Sequence, residues 1–413
     1  GVLTIALDGL PIEEWASKPH MYWAMGQRII QAARLVAGHP QLFGVYITNF
    51  SCGPDSFILN YFRRIMGQKP SLTLELDSHT ADAGLETRIE AFLDVVAAWR
   101  NLNAERQTPQ TRSGFRPARM ASQGETLGVQ TSQGDWLPLT HDRVTLLFPS
   151  MGRLSSEALA AAFANRGIRS IAAPPADETV LKRGRANTSC KECLPLILTT
   201  GTLLEYLEKD RAADEVLVYF MATGTGPCRF GQYRIFMEEL IRDRKMENVV
   251  LFSLNSADGY RGLDRKAHLR GWQSIVIADV MEDIRSMLLA NASDRQAAME
   301  GFDDSWKRLI RAIGSGRTGA VDEQLVQTAQ LLKRIDLKRP VENVPVVALV
   351  GEIFVRRDDI SRQYITERLA QMGFACSCAP VAEWIRYTDW LARTGYGPKG
   401  GPTLRERIAL AYK

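Results

Sequence analysis

Short apolar runs rich in β-branched and aromatic residues alternate along this chain with longer stretches of helical periodicity. That alternation constrains the fold more than any other feature. Phe43 to Thr48, Ser71 to Leu76, Val144 to Phe148, Ile168 to Ala172, Val216 to Met221 and Val249 to Leu254 each read as a strand. Helical stretches are expected over 21–36, 55–66, 86–99, 155–165, 195–209 and 232–244, with Asp55 or Ser56 as a candidate cap for the second of these. A strand that is apolar at every position is buried on both faces, and intervening helices supply the crossovers that parallel strands need. The fold class is therefore expected to be α/β, with two Rossmann-like parallel-sheet lobes.

The rest of the chain breaks the pattern in two places. Residues 103–142 are rich in Gln, Ser, Thr, Gly and Arg and read as an irregular connection, with Trp136 pinning one end. Residues 263–340 carry helical periodicity and no strand signal, so an inserted helical lobe is expected there. The domain reading is a first α/β lobe at 1–102, the connection at 103–142, a second α/β lobe at 143–262, the helical lobe at 263–340, and an α/β return segment with C-terminal helices at 341–413.

With 413 residues, two or three domains are expected. The formal net charge is +4, from 51 basic and 47 acidic residues, which is too even for a nucleic-acid surface, so no nucleic-acid partner is expected. No run of about 18 apolar residues suggests a membrane span, and the first residues lack the basic start and cleavage site of a secretory signal. A cytoplasmic location follows as the expectation. The chain does not begin with Met, so it is expected to be cut from a longer polypeptide.

In a reducing compartment the six cysteines are buried hydrophobes, metal ligands or catalytic thiols rather than disulfides. Position separates them. Open parallel sheets bind ligands at the carboxyl ends of their strands. Cys52 follows the strand ending near Thr48, Cys228 follows the strand ending at Met221, and Cys190 and Cys193 sit in the loop before the helix near Pro195. Each precedes a helix, whose free N-terminal amides favour a thiolate. Packed thiols, a redox pair, zinc held by four sulfurs and an iron–sulfur cluster all remain open on these residues. Cys376 and Cys378 lie two apart in a predicted strand and read as core.

Two other polar sites qualify as candidates. His79 lies in the acid-rich segment 75–88 between a strand and a helix, where a proton-transfer group or a network of helix caps would fit. Glu352 follows the strand 346–350 and is either a cleft-facing acid or an ordinary loop acid. The glycine-rich segment 223–231 matches neither a dinucleotide fingerprint nor a P-loop, so no nucleotide site is expected.

The segments NFSCGPDSF, LELDSHTADAGLETRIEAF, TSCKECLP, GPCRFGQY and VGEIFVR, in that order, resemble the dehydratase-like region of large acyl-CoA dehydratase activase-related proteins. That region is similar to the 2-hydroxyacyl-CoA dehydratase subunits and the double-cubane cluster proteins. The resemblance implies three cysteine ligands, Cys52, Cys193 and Cys228, for a [4Fe-4S] or double-cubane [8Fe-9S] iron–sulfur cluster. It implies glycine where Cys190 stands, which makes Cys190 an extra ligand, a ligand of a modified cluster or an incidental thiol. It also implies a partner, an ATP-hydrolysing iron–sulfur activator in the same longer chain or separate, so that ATP is used by the activator and not bound here. A homodimer and a small-molecule or acyl-CoA substrate, reduced or dehydrated, complete the expectation. The competing reading is a non-catalytic regulatory or scaffold lobe of a larger activase protein, with zinc or no metal.

Overall fold

The computed structural model describes residues 2–49, 52–77, 82–103, 114–124, 126–224, 226–254 and 265–394. The chain divides into two compact units. The first comprises Gly1–Phe115 together with Thr188–Cys193 and Thr223–Phe236; the second comprises Arg116–Asn187, Leu194–Ala222 and Met237–Lys413. The two cysteine-bearing segments 188–193 and 223–236 fall inside the expected second lobe, 143–262, yet belong to the first unit.

In the first unit, α1 (Ala24–Gly38), β1 (Gly44–Thr48), α2 (Asp55–Met66), β2 (Ser71–Glu75) and α3 (Asp82–Asn103) follow one another. β1 and β2 pair in parallel, with Thr48 opposite Glu75 at their carboxyl ends. The burial of β1 alternates, Gly44, Tyr46 and Thr48 inward against exposed Val45 and Ile47. α2 buries Phe57, Ile58, Leu59, Tyr61, Phe62 and Met66. Gly44 is required by that packing, because a Cβ there would stand 2.8 Å from the Phe62 ring.

The second unit begins with β3 (Arg119–Gln123), β4 (Thr126–Gln130) and β5 (Trp136–Pro138). They form a three-stranded antiparallel sheet in what the sequence reads as an irregular connection. The strands are short, with polar residues scattered through β3 and β4, and are held by packing: Val129 and Leu139 share a core with Val144, Leu146, Phe148, Val216, Val218, Val250 and Phe252. Trp136 lies across Gly128, whose missing Cβ would stand 2.8 Å from the indole and 2.3 Å from the Leu137 carbonyl oxygen.

The chain continues through β6 (Val144–Phe148), α4 (Arg153–Ala164), β7 (Ser170–Ala172), α5 (Glu178–Arg185), α6 (Leu194–Lys209), β8 (Val216–Phe220), α7 (Tyr233–Asp243) and β9 (Val249–Phe252). The four strands form a parallel sheet in the order β7-β6-β8-β9. β6 and β9 are buried at every position, as expected of strands covered on both faces. α5 was not legible as a helix; Asp177 caps it by accepting the Val180 N–H at 2.8 Å.

α8 (Arg265–Asn291), α9 (Arg295–Gly314) and α10 (Ala320–Leu332) supply the expected helical segment, packed with α4 around Phe302, Trp306, Leu309 and Ile313. β10 (Val346–Leu349), α11 (Ile365–Gln371), β11 (Ala375–Cys378) and α12 (Ala382–Thr394) follow, and β10 and β11 pair in parallel. The protein is a mixed α/β fold built on parallel sheets, as its strand and helix alternation implies.

Candidate functional site

Cys52, Cys190, Cys193 and Cys228 all belong to the first unit. Cys52 stands in the turn between β1 and α2, its N–H donating to the Asn49 carbonyl at 3.0 Å. Cys193 immediately precedes α6, and Cys228 is the N-cap of a short 3₁₀ turn, Arg229–Gln232, that runs into α7. Cys52 and Cys193 are half-buried, and Cys190 and Cys228 are exposed.

Named contacts tie these loops together. The Arg229 guanidinium donates through Nη1 to Ser56 Oγ at 3.2 Å, and its Nε lies 3.5 Å from the point a Cβ on Gly53 would occupy. The Cys228 loop is thus fastened to the start of α2, just beyond the Cys52 turn, by the residue that follows Cys228. Tyr61 donates to Gln232 Oε1 at 3.1 Å, Gln232 donates to the His20 carbonyl at 2.9 Å, and the Trp23 indole donates to the Pro227 carbonyl at 3.0 Å. On the third loop, Lys191 forms an ion pair with Glu75 at the carboxyl end of β2. Buried Glu192 closes the loop on itself by accepting the Ser189 N–H at 3.0 Å.

Asp55 does not act as a side-chain cap for α2. Its carboxylate is turned to the sheet, accepting Tyr46 OH at 2.9 Å and Thr48 Oγ1 at 2.5 Å. Burial raises the Tyr46 hydroxyl well above its ordinary pKa, and the Asp55 charge adds to that. The same carboxylate lies beside Cys52. Burial pushes the Cys52 thiol up; the Asp55 backbone N–H and the Arg229 guanidinium pull the other way, and the Asp55 charge reinforces the rise. The position ahead of α2 therefore does not by itself produce a low-pKa thiol, because desolvation outweighs the local amides. Burial lowers Lys191, with repulsion from Arg63 in the same direction.

Cys190 has φ 62°, in the left-handed region that costs a side chain roughly 1 kcal/mol and suits glycine. The backbone here thus has the conformation of the residue that the motif leads one to expect. Cys376 and Cys378 are buried in β11, where the Cys376 N–H donates to Ser286 Oγ at 2.7 Å and the Cys378 thiol to the Arg356 carbonyl at 3.4 Å. They belong to the core of the second unit, as their spacing suggested.

Glu352, in the second unit, is exposed and accepts the N–H of Val355 at 2.8 Å, closing its own turn. His79 lies outside the described residues. The residues that sequence reading passed over are Arg229, Lys191, Glu192, Tyr46 and Thr48, and it assigned Asp55 to its helix instead of to the two hydroxyls. Arg229 and Lys191 stand next to cysteines, but only tertiary contacts reveal what a single charge beside a thiol faces.

The donor set suits an iron–sulfur cluster. Thiolates are the ligands such clusters take, and the three loops lie in one unit with none of their sulfurs locked in a core. Among the described residues, no three side chains of His, Cys, Asp or Glu converge tightly enough to grip a single ion. A cubane is wider than one ion and takes its thiolates further apart.

No family model matches this chain. No curated protein matches it, and no solved structure does so either.

Proposed function

We propose that this chain is an iron–sulfur protein of the kind its motifs resemble. It accepts low-potential electrons from an ATP-hydrolysing activator and reduces or dehydrates a small substrate. The observation that carries this reading is the gathering of Cys52, Cys193 and Cys228 in one unit, on loops joined to α2 and β2 through Arg229 and Lys191. Those three thiolates would hold the cluster, with Cys190 as a fourth candidate. When bound, the cluster supplies one-electron chemistry of low potential, and three protein thiolates on a four-iron cubane leave one iron open.

The chain's own residues do the positioning. Tyr46 and Thr48 hold the Asp55 carboxylate, and with it the start of α2 behind Cys52. Glu192 fixes the turn that carries Cys193. Arg229 keeps the Cys228 loop against the Cys52 turn and places positive charge beside sulfur, where it offsets thiolate charge. His79 and Glu352 stand as weaker candidates for proton transfer. In a homodimer two such sites, brought together, would form the double-cubane variant.

Anaerobic reconstitution with iron and sulfide, followed by metal and sulfide analysis and EPR, tests the reading. The expected result is stoichiometric iron and sulfide with a reducible EPR signal, diminished in Cys52→Ala, Cys193→Ala and Cys228→Ala. No signal, or a signal unchanged in all three variants, would sink it. Stoichiometric zinc without iron would favour the regulatory or scaffold reading instead.

A further inference from the structure

Arg229 is a half-buried guanidinium with no carboxylate partner among the described residues. Among the described residues its side chain makes one hydrogen bond, from Nη1 to Ser56 Oγ, a neutral acceptor at 3.2 Å. The opposite edge, with the Nε and Nη2 hydrogens, carries no hydrogen bond among the described residues. That edge is the planar fork that matches a carboxylate or a phosphoryl group in bidentate fashion. The flat face of the guanidinium, not this edge, lies against Gly53, where a Cβ would come to 3.5 Å from Nε and an equal 3.7 Å from Cδ and Cζ. Glycine at this place lets the backbone of the Cys52 turn pack on that face, a contact that does not use the Nε–Nη2 edge. The nearest acid on the same turn, Asp55, has both oxygens engaged by Tyr46 and Thr48. The surroundings thus supply a fixed cation with an open edge and withhold its counter-ion.

We propose that the free edge of Arg229 is an oxyanion subsite: the substrate carries a carboxylate or phosphoryl group that binds there, between the Cys52 turn and the Cys228 loop. The assignment rests on the proposed function for its claim that the ligand is a substrate, but binding of the anion needs no cluster. Arg229 binds and orients the substrate, and its planar shape selects for an oxyanion over a neutral group of equal size.

The probes are iodoacetate and iodoacetamide, alike at the reacting carbon and different in charge. In each case the thiolate displaces iodide, forming the S–C bond as the C–I bond breaks. Both reagents meet the same thiolate at the same pH, so the ratio of their rates at one cysteine cancels the thiolate fraction. The iron-free, reduced chain is used, with mass spectrometry reading Cys52, Cys228 and, as an internal control, exposed Cys190.

The iodoacetate-to-iodoacetamide ratio at Cys52 or Cys228 should fall about tenfold in Arg229→Gln, the scale of one charge-assisted hydrogen bond. The ratio at Cys190 should hold. Arg229→Lys, which keeps the charge without the fork, should lose less. In the unmutated chain at constant ionic strength, acetate or inorganic phosphate should slow iodoacetate more than iodoacetamide at these cysteines. Protection by acetate assigns a carboxylate substrate, and protection by phosphate alone a phosphoryl one. An unchanged ratio in Arg229→Gln together with no protection by either anion overturns the subsite. That result would leave the iron and sulfide content on reconstitution unaffected, so the two ideas fail separately.

Discussion

A close helix crossing in the second unit gives a sharp test of its packing. α5 and α6 cross at two glycines. A Cβ on Gly201 would lie 2.1 Å from the Val180 carbonyl oxygen and 3.0 Å from the Gly184 nitrogen, and one on Gly184 would lie 2.0 Å from the Ile197 carbonyl oxygen. These are backbone atoms, so no rotamer change relieves the clash. To bring the Gly201 contact out to 3.0 Å, the helices must separate by 0.9 Å, the difference between 3.0 and 2.1 Å. That separation loosens the cluster of Val180, Leu181, Ile197, Leu198 and Phe354 that the crossing seals. Overpacking of this kind costs about 3 kcal/mol, at the upper end of the usual range because backbone must move. Alanine regains about 1 kcal/mol of helix propensity over glycine. Gly201→Ala should therefore destabilise by about 2 kcal/mol, the difference between those two terms. Gly301, exposed in α9 with nothing within 4 Å of its Cβ position, is the control of opposite sign. Alanine there should stabilise by about 1 kcal/mol. Urea titrations followed by far-UV circular dichroism, at matched slope, read both. A Gly201→Ala chain as stable as the parent would refute the close crossing.

Cys190→Gly should keep iron content and EPR signal, and its stability should stay within about 1 kcal/mol of the parent, relief of left-handed strain being offset by a freer unfolded chain. Loss of iron in that variant would make Cys190 a ligand. Burial raises the Asp358 carboxyl, against the opposing hydrogen bonds from Ser361. A raised carboxyl stabilises the fold below its unfolded value and loses that contribution as pH rises through its folded value. Asp358→Asn should therefore flatten the stability profile above about pH 4 and be the more stable chain at neutral pH. Denaturant midpoints across pH check this; a slope identical to the parent's counts against it.

Much of the fold is written in local pattern. β8 and β9 are continuous apolar runs and β6 is broken only by Thr145, and a run of that kind has few alternatives to a covered parallel strand. α2, α9 and α10 announce themselves by periodicity. The antiparallel sheet β3–β5 was illegible for a physical reason. Its strands are short, β3 and β4 mix polar with apolar residues, and glycine at 128 reads as a loop signal until Trp136 is seen lying across it. α5 was hidden in the same way, since Gly184 looks like a turn residue and is a helix crossing.

The site divides along similar lines. Composition and chain order alone place cysteines in loops after strands and set Cys376 and Cys378 apart as core, because those depend on neighbours in sequence. Tertiary structure alone decides that segments 188–193 and 223–236 join the N-terminal chain in one unit. It also decides that Asp55 serves Tyr46 and Thr48 rather than its helix, that burial outweighs the helix start at Cys52, and that Arg229 faces a thiol turn with one edge free. Hydrogen bonds and desolvation depend on which groups meet in space, whether seven residues apart, as Thr48 and Asp55 are, or 173 apart, as Ser56 and Arg229 are. Such meetings leave no local trace, whereas the period of apolar residues does.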